Sequence, residues 1–146
     1  MIYAYTKVST PYTIIQMALP YEMDGENQCT ELCTLDGVTY VSVPDSVTLP
    51  DQPTELTITE ATITSELRDQ IKAASPHVAL IAKRTEQRIR ERYSLSDEQF
   101  FSRIGVGAAL GAYTFAPGEQ DELLAFGAYV EAARQWGRDE RAKLGL

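Results

Sequence analysis

A chain of 146 residues, 44% hydrophobic and 23% charged, has the apolar content for one globular domain, or for a small core with an appended module. Its net charge of -8 is uneven, because residues 1–60 hold nine acidic side chains against Lys7 alone while residues 61–146 hold twelve of each sign. An acidic front repels phosphate backbones and anionic lipid, which disfavours nucleic acid and membranes and favours a basic or neutral protein partner. No window approaches the ~20 apolar residues of a membrane span, and Met1 to Tyr5 lack a basic stretch leading into an apolar run. The expectation is a soluble protein made in the cytoplasm.

The first sixty residues are rich in Thr, Tyr, Val and Ile and are cut by Pro11, Pro20, Pro44, Pro50 and Pro53, the texture of short strands joined by turns. Ile2 to Val8 and Thr13 to Leu19 are two candidate strands with Ser9-Thr10-Pro11 as the turn between them. Asp36-Gly37 accepts the positive φ angles of a tight hairpin, so Cys33 to Leu35 and Val38 to Val43 should pair across it. On one extended strand Cys29 and Cys33 would have Cα atoms about 13 Å apart, at roughly 3.3 Å per residue, so two thiols in a reducing compartment are expected. Tyr21 to Gln28, with Glu22, Asp24 and Glu26, reads as an exposed acidic loop that lacks the spacing of a calcium-binding loop. Residues 44–53 carry three prolines and are expected to be an extended linker marking a domain boundary, with Glu55 to Glu60 as a last strand.

From Thr64 the period changes. Thr64 is a candidate N-cap for a short helix with Leu67 and Ile71 at i, i+4, and Ser75-Pro76 places a cap before a proline at the first helical position. Val78, Ile81, Ile89 and Tyr93 continue at helical spacing in a second helix. Ser96 with Gln99 three residues on has the capping-box form and is expected to open a third helix through Phe100, Phe101 and Ile104. Pro117-Gly118 separates it from a fourth, whose first turn holds Glu119, Asp121 and Glu122 and whose end holds Arg134, Arg138, Arg141 and Lys143, as the helix dipole favours. The fold class is therefore α+β: a small antiparallel sheet in residues 1–60, ending in the Pro-rich linker 44–53, then three to four helices in residues 61–146.

Chemistry-bearing patterns are sparse. Gly105-Val106-Gly107-Ala108-Ala109-Leu110-Gly111 lacks the spacing of a dinucleotide fingerprint and any Gly-Lys-Ser/Thr ending, so it reads as close helix packing or a helix break near Gly105. His77 stands alone after a helix-starting proline, and Cys29, Cys33 and His77 do not make a zinc set. No cofactor, metal or catalytic residue is assigned, and the expectation is a protein that is not an enzyme. Arg84, Arg88 and Arg92 share one helical face at i, i+4, i+8 and are the best argument for phosphate contact, although Glu86 and Glu91 interleave with them. Tyr3, Tyr5, Tyr12 and Tyr40 in the front, Arg84 and Arg88, and Tyr129 with Trp136 in the last helix are the candidate interaction residues, since Tyr, Trp and Arg concentrate binding energy at interfaces.

Leu67-Arg68-Asp69-Gln70-Ile71-Lys72-Ala73-Ala74-Ser75-Pro76-His77, then Ile89-Arg90-Glu91-Arg92-Tyr93-Ser94 through Asp97-Glu98, and the stretch Tyr129 to Leu146, resemble small proteins encoded among the tail and tail-fibre genes of tailed bacteriophages. The Asp36-Gly37-Val38-Thr39-Tyr40 hairpin with the proline-rich segment is similar to the β-rich front of tail-fibre assembly proteins. The chain departs from that pattern at Gly105 to Ala116, where a shorter, less glycine-rich connection is expected.

The resemblance covers about two-thirds of the chain, and its motifs are structural punctuation. It implies a non-catalytic protein-binding component of the tail: a fibre- or baseplate-associated subunit in the virion, made in the host cytoplasm. An assembly chaperone not retained in the particle is the alternative, and a small nucleic-acid-binding regulator using Lys83 to Arg92 is a second. Partners would be tail or tail-fibre proteins, with homo-oligomerisation matching tail symmetry. The front sheet, through an unpaired edge at Ile2 to Val8 or Thr13 to Leu19, is a candidate for strand addition to a partner.

Overall fold

The computed structural model describes residues 1–21 and 27–146, so Glu22, Asp24 and Glu26 of the expected acidic loop lie outside the described residues. The fold is α+β. The strands are β1 (Ile2–Tyr5), β2 (Val8–Ser9), β3 (Ile14–Ile15), β4 (Thr30–Leu35), β5 (Val38–Ser42) and β6 (Thr59–Glu60). Four helices follow: α1 (Ser65–Ala74), α2 (Pro76–Arg90), α3 (Leu95–Ala109) and α4 (Glu119–Lys143). Contacts divide the described chain into two compact units, one of residues 1–80 with 140–146 and the other of residues 81–139. The boundary thus differs from the expected division after residue 60, because α1 packs on β4 and closes the sheet's core.

In the first unit the main sheet has the order β4-β5-β1-β6 and is antiparallel throughout. Asp36 at φ 49° and Gly37 at φ 83° form the expected turn and set Leu35 opposite Val38. The register shifts between Glu31 and Cys33, and this bulge interrupts the side-chain alternation of β4. Leu32 and Cys33, consecutive in sequence, are consequently both buried in one cluster with Ile2 and Ile71, flanked by Leu67, Leu144 and Leu146. Burial raises the Cys33 thiol pKa above its ordinary value.

Two strand expectations are corrected. β1 has no free edge, since Tyr3 pairs with Val41 on one side and Glu60 on the other. The Thr13 to Leu19 segment is strand only at Ile14–Ile15, where it pairs with β2 in a separate two-stranded ladder. The outer positions of the main sheet belong to β4 and β6.

The proline-rich segment is not a linker. Tyr5, Met17, Val41 and Val43 form a second core on the opposite side of β1, and Val47, Leu49, Leu56 and Ile58 pack against it. Gln52 fastens the segment by accepting from Ala18 N at 2.9 Å and donating to Ala18 O at 2.8 Å. β1 contributes Ile2 to one core and Tyr5 to the other, so the sheet has two apolar faces to cover, and the apolar residues within and just after the proline-rich stretch cover one of them.

The helices begin where local chemistry dictates. Thr64 caps α1 by accepting from Leu67 N at 3.2 Å, and Pro76 occupies the first position of α2. The cap of α3 is Ser94 and not the expected Ser96: Ser94 accepts from Asp97 N at 3.0 Å while Asp97 accepts from Ser94 N at 2.8 Å, a reciprocal box. Those bonds hold the Asp97 carboxyl below its usual pKa. The glycine run continues α3 as far as Ala109, and Gly111 at φ 73° then terminates it. In the second unit Phe101, Ile104 and Phe126 form the buried centre, with Tyr93, Tyr113, Phe115, Leu123 and Val130 around it.

Candidate protein-interaction site

The second unit carries a surface built from α2, the turn after it and α4. Phe101 and Phe126 stack at 5.0 Å between centroids, and Tyr93 meets Phe126 edge-on at 5.1 Å and Tyr129 at 5.5 Å. The aromatic cluster therefore runs from the buried centre outward to half-exposed Tyr129. The Tyr129 hydroxyl donates to the Arg88 carbonyl oxygen at 2.8 Å. That carbonyl lies in the last turn of α2, where helical partners run out, so Tyr129 supplies the missing donor and pins α4 to the end of α2.

Arginines cover these rings. The Arg88 Cζ sits 4.1 Å from the Trp136 ring centroid, and the Arg92 Cζ lies 5.4 Å from the centroids of both Tyr93 and Tyr129. Such contacts are worth about 0.5–1 kcal/mol at exposed sites and hold a guanidinium in a narrow range of orientations. Arg90, by contrast, is consumed internally: its Nη1 lies 2.8 Å from Glu98 Oε2, an ion pair whose angle falls outside hydrogen-bond geometry. Arg138 is held by Glu131 and Gln135 on α4.

Two clefts open beside this surface. One of about 350 Å³ is lined by Arg84, Gln87, Arg88, Glu91 and Trp136. The other, about 140 Å³, is lined by Arg88, Glu91, Tyr129, Ala132 and Ala133. Arg88 and Glu91 belong to both. The surface thus offers cationic edges, two polar-tipped rings and concave ground between them, the makings of a recognition site for a partner chain.

Of the residues singled out in the sequence, Arg84, Arg88, Tyr129 and Trp136 come together here. The front tyrosines do not form a matching cluster. Tyr5 is 4% exposed and is a core residue, which corrects its reading as a contact residue. Tyr3 and Tyr40 are half-buried and pack against different cores of the first unit. Tyr12, at 97% exposed in the β2–β3 turn, is open to solvent but lies in the first unit. Arg92 joins the surface from the turn after α2, which ends at Arg90, and not through the expected i, i+8 helical spacing, whereas Glu91 gives no sequence signal beyond its sign. His77 is exposed at the start of α2.

Among the described residues no helix is long and apolar enough to cross a membrane. Comparison of the chain with protein-family models, with curated proteins and with solved structures gives no match.

Proposed function

We propose that this chain is a non-catalytic, protein-binding component of a bacteriophage tail, a fibre- or baseplate-associated structural subunit, and that the α2–α4 surface is its principal contact. The observation that supports protein binding is the seating of Arg88 over Trp136 beside a cleft of about 350 Å³. Trp, Tyr and Arg in partly desolvated pockets carry a large share of the energy at protein interfaces. The tail assignment rests on the sequence likeness, and two of its segments, Ile89 to Ser94 and Tyr129 to Leu146, supply Arg92, Tyr93, Tyr129 and Trp136 to this surface.

The test is quantitative mass spectrometry of purified virions of the encoding phage beside the infected-cell lysate. A fixed copy number matching a three- or six-fold tail element is the expected result. Joint substitution Arg88→Ala and Trp136→Ala should lower incorporation by about tenfold or more, the size expected for loss of an interface anchor. Abundance in lysate with absence from virions would overturn the subunit reading and favour an assembly chaperone. Salt-sensitive retention on DNA with no protein partner would favour the regulator.

A further inference from the structure

Arg84, Arg88 and Arg92 are neighbouring cations of one surface of the second unit. No ion pair engages any of them among the described residues, although Arg90 and Arg138 each have a carboxylate partner. Arg84 makes no hydrogen bond or ring contact with any described residue either. A chain with 21 acidic residues against 13 Lys and Arg leaves three neighbouring guanidiniums uncompensated on one surface. Glu91 lines both clefts and is paired with none of the three.

The geometry of the three fits one kind of ligand. Arg84 and Arg88 stand one helical turn apart, about 6 Å along the axis, and Arg92 follows after four further residues. In an extended chain, side chains on one face repeat every two residues, about 6.6 Å. Carboxylates at alternate positions of an extended segment therefore keep step with Arg84 and Arg88, and a further one can meet Arg92 in the turn that follows α2. A guanidinium over an aromatic ring meets it with its face and keeps its in-plane N–H edge for acceptors, the edge that grips carboxylates in pairs. Arg88 is seated over the Trp136 ring and Arg92 lies between the Tyr93 and Tyr129 rings, and this confinement lowers the entropy lost on binding.

We infer that the α2–α4 surface recognises an extended acidic segment of a partner protein, in which alternate carboxylates meet Arg84, Arg88 and Arg92 while the segment's backbone lies along the Tyr129 and Trp136 rings. The inference rests on the protein-binding reading above and gives that partner its chemistry. Nucleic acid is the disfavoured ligand, because Glu91 stands within the surface and a phosphate backbone, charged at every nucleotide, has no uncharged position to set against that carboxylate.

Trp136 is the single tryptophan, so its emission reports the site directly. The full chain is titrated with a blocked peptide of alternating serine and glutamate, with a peptide of the same composition whose glutamates are contiguous, and with duplex DNA. The alternating peptide should bind about threefold to fivefold more tightly than the contiguous one, and affinity should fall with salt. Arg84→Ala should weaken it by about threefold and Arg88→Ala by about tenfold, while Glu91→Gln should tighten it.

Equal binding of the two peptides, no saturable response to either, or tighter binding of DNA each overturns the inference. Arg84→Glu, which removes no hydrogen bond, ion pair or ring contact among the described residues, is also examined for virion incorporation and in the ultracentrifuge. Normal incorporation of this variant would sink the acidic-segment inference while the tail-subunit reading stands. Absence of the unsubstituted chain from virions would sink the latter alone. Self-association lost in Arg84→Glu would identify a second copy as the occupant, against a separate partner.

Discussion

Two glycines two residues apart on α3, Gly105 and Gly107, should respond to alanine with opposite signs. Replacing an interior helix glycine by alanine gains about 0.8–1.0 kcal/mol of backbone propensity, so the sign is set by what the new methyl meets. At Gly105 it would meet a terminal methyl of Leu123 at 3.4 Å, ordinary contact with the movable end of a side chain. At Gly107 it would lie 2.9 Å from the Cβ of Tyr113, and that atom has no room to retreat. The Gly107 carbonyl accepts from Ala112 N at 2.8 Å and from Tyr113 N at 3.1 Å, so moving Tyr113 strains the bonds that end the helix.

Overpacking of this kind costs about 1–3 kcal/mol, and the fixed neighbour places Gly107 in the upper part of that range. Gly105→Ala should therefore stabilise the second unit by about 0.5–1 kcal/mol, and Gly107→Ala should destabilise it by about 1–2 kcal/mol. Urea unfolding followed by far-ultraviolet circular dichroism measures both. Shifts of the same sign, or equal midpoints for the two variants, would refute the packing argument.

Ile71→Ala should cost about 3 kcal/mol in the same assay, because Ile71 is fully buried beneath the sheet; a loss under about 1 kcal/mol would show that α1 does not belong to that core. Ser94→Ala should cost about 1 kcal/mol by removing the α3 cap. The Asp97 carboxyl is depressed by the Ser94 bonds, so its contribution is complete above the unfolded aspartate value near about 3.9 and is lost as pH falls through its folded value. An acid titration of stability should lose that step in Asp97→Asn. The Tyr113 hydroxyl donates to Glu119 Oε2 at 2.6 Å, and its pKa is raised chiefly by that bond. Its stabilisation is present below the unfolded tyrosine value and lost as pH rises through the folded one. Glu119→Gln should bring one phenol back toward ordinary ionisation in an ultraviolet alkaline titration, and an unchanged curve would contradict the assignment.

Much of the fold was legible wherever a few adjacent residues decide the outcome. Asp36-Gly37 specifies its turn, Thr64 and Pro76 mark two helix starts, and the acidic first turn and basic end of α4 suffice for that helix. Ser94 and Ser96 show the limit of local reading. Both precede a polar residue by three positions, and the choice depends on where α2 ends and where Arg90 meets Glu98. Within the candidate site, the i, i+4 spacing of Arg84 and Arg88 was readable, as were the types Tyr129 and Trp136. Their meeting was not, since 41 residues separate Arg88 from Tyr129 along the chain.

The sequence by itself determined the α+β class, the order of the helices and the positions of the sharpest turns, because propensity, capping and turn chemistry act over a few residues. Only the tertiary structure decided that β1 lies between β5 and β6, that the proline segment covers a core, that Tyr5 is interior, and that α1 and the Leu144 to Leu146 stretch belong with the sheet. Those outcomes depend on which apolar face finds cover from a distant segment. Burial is non-directional and scales with area, so the pattern in any one segment names a face to be buried without naming what will bury it.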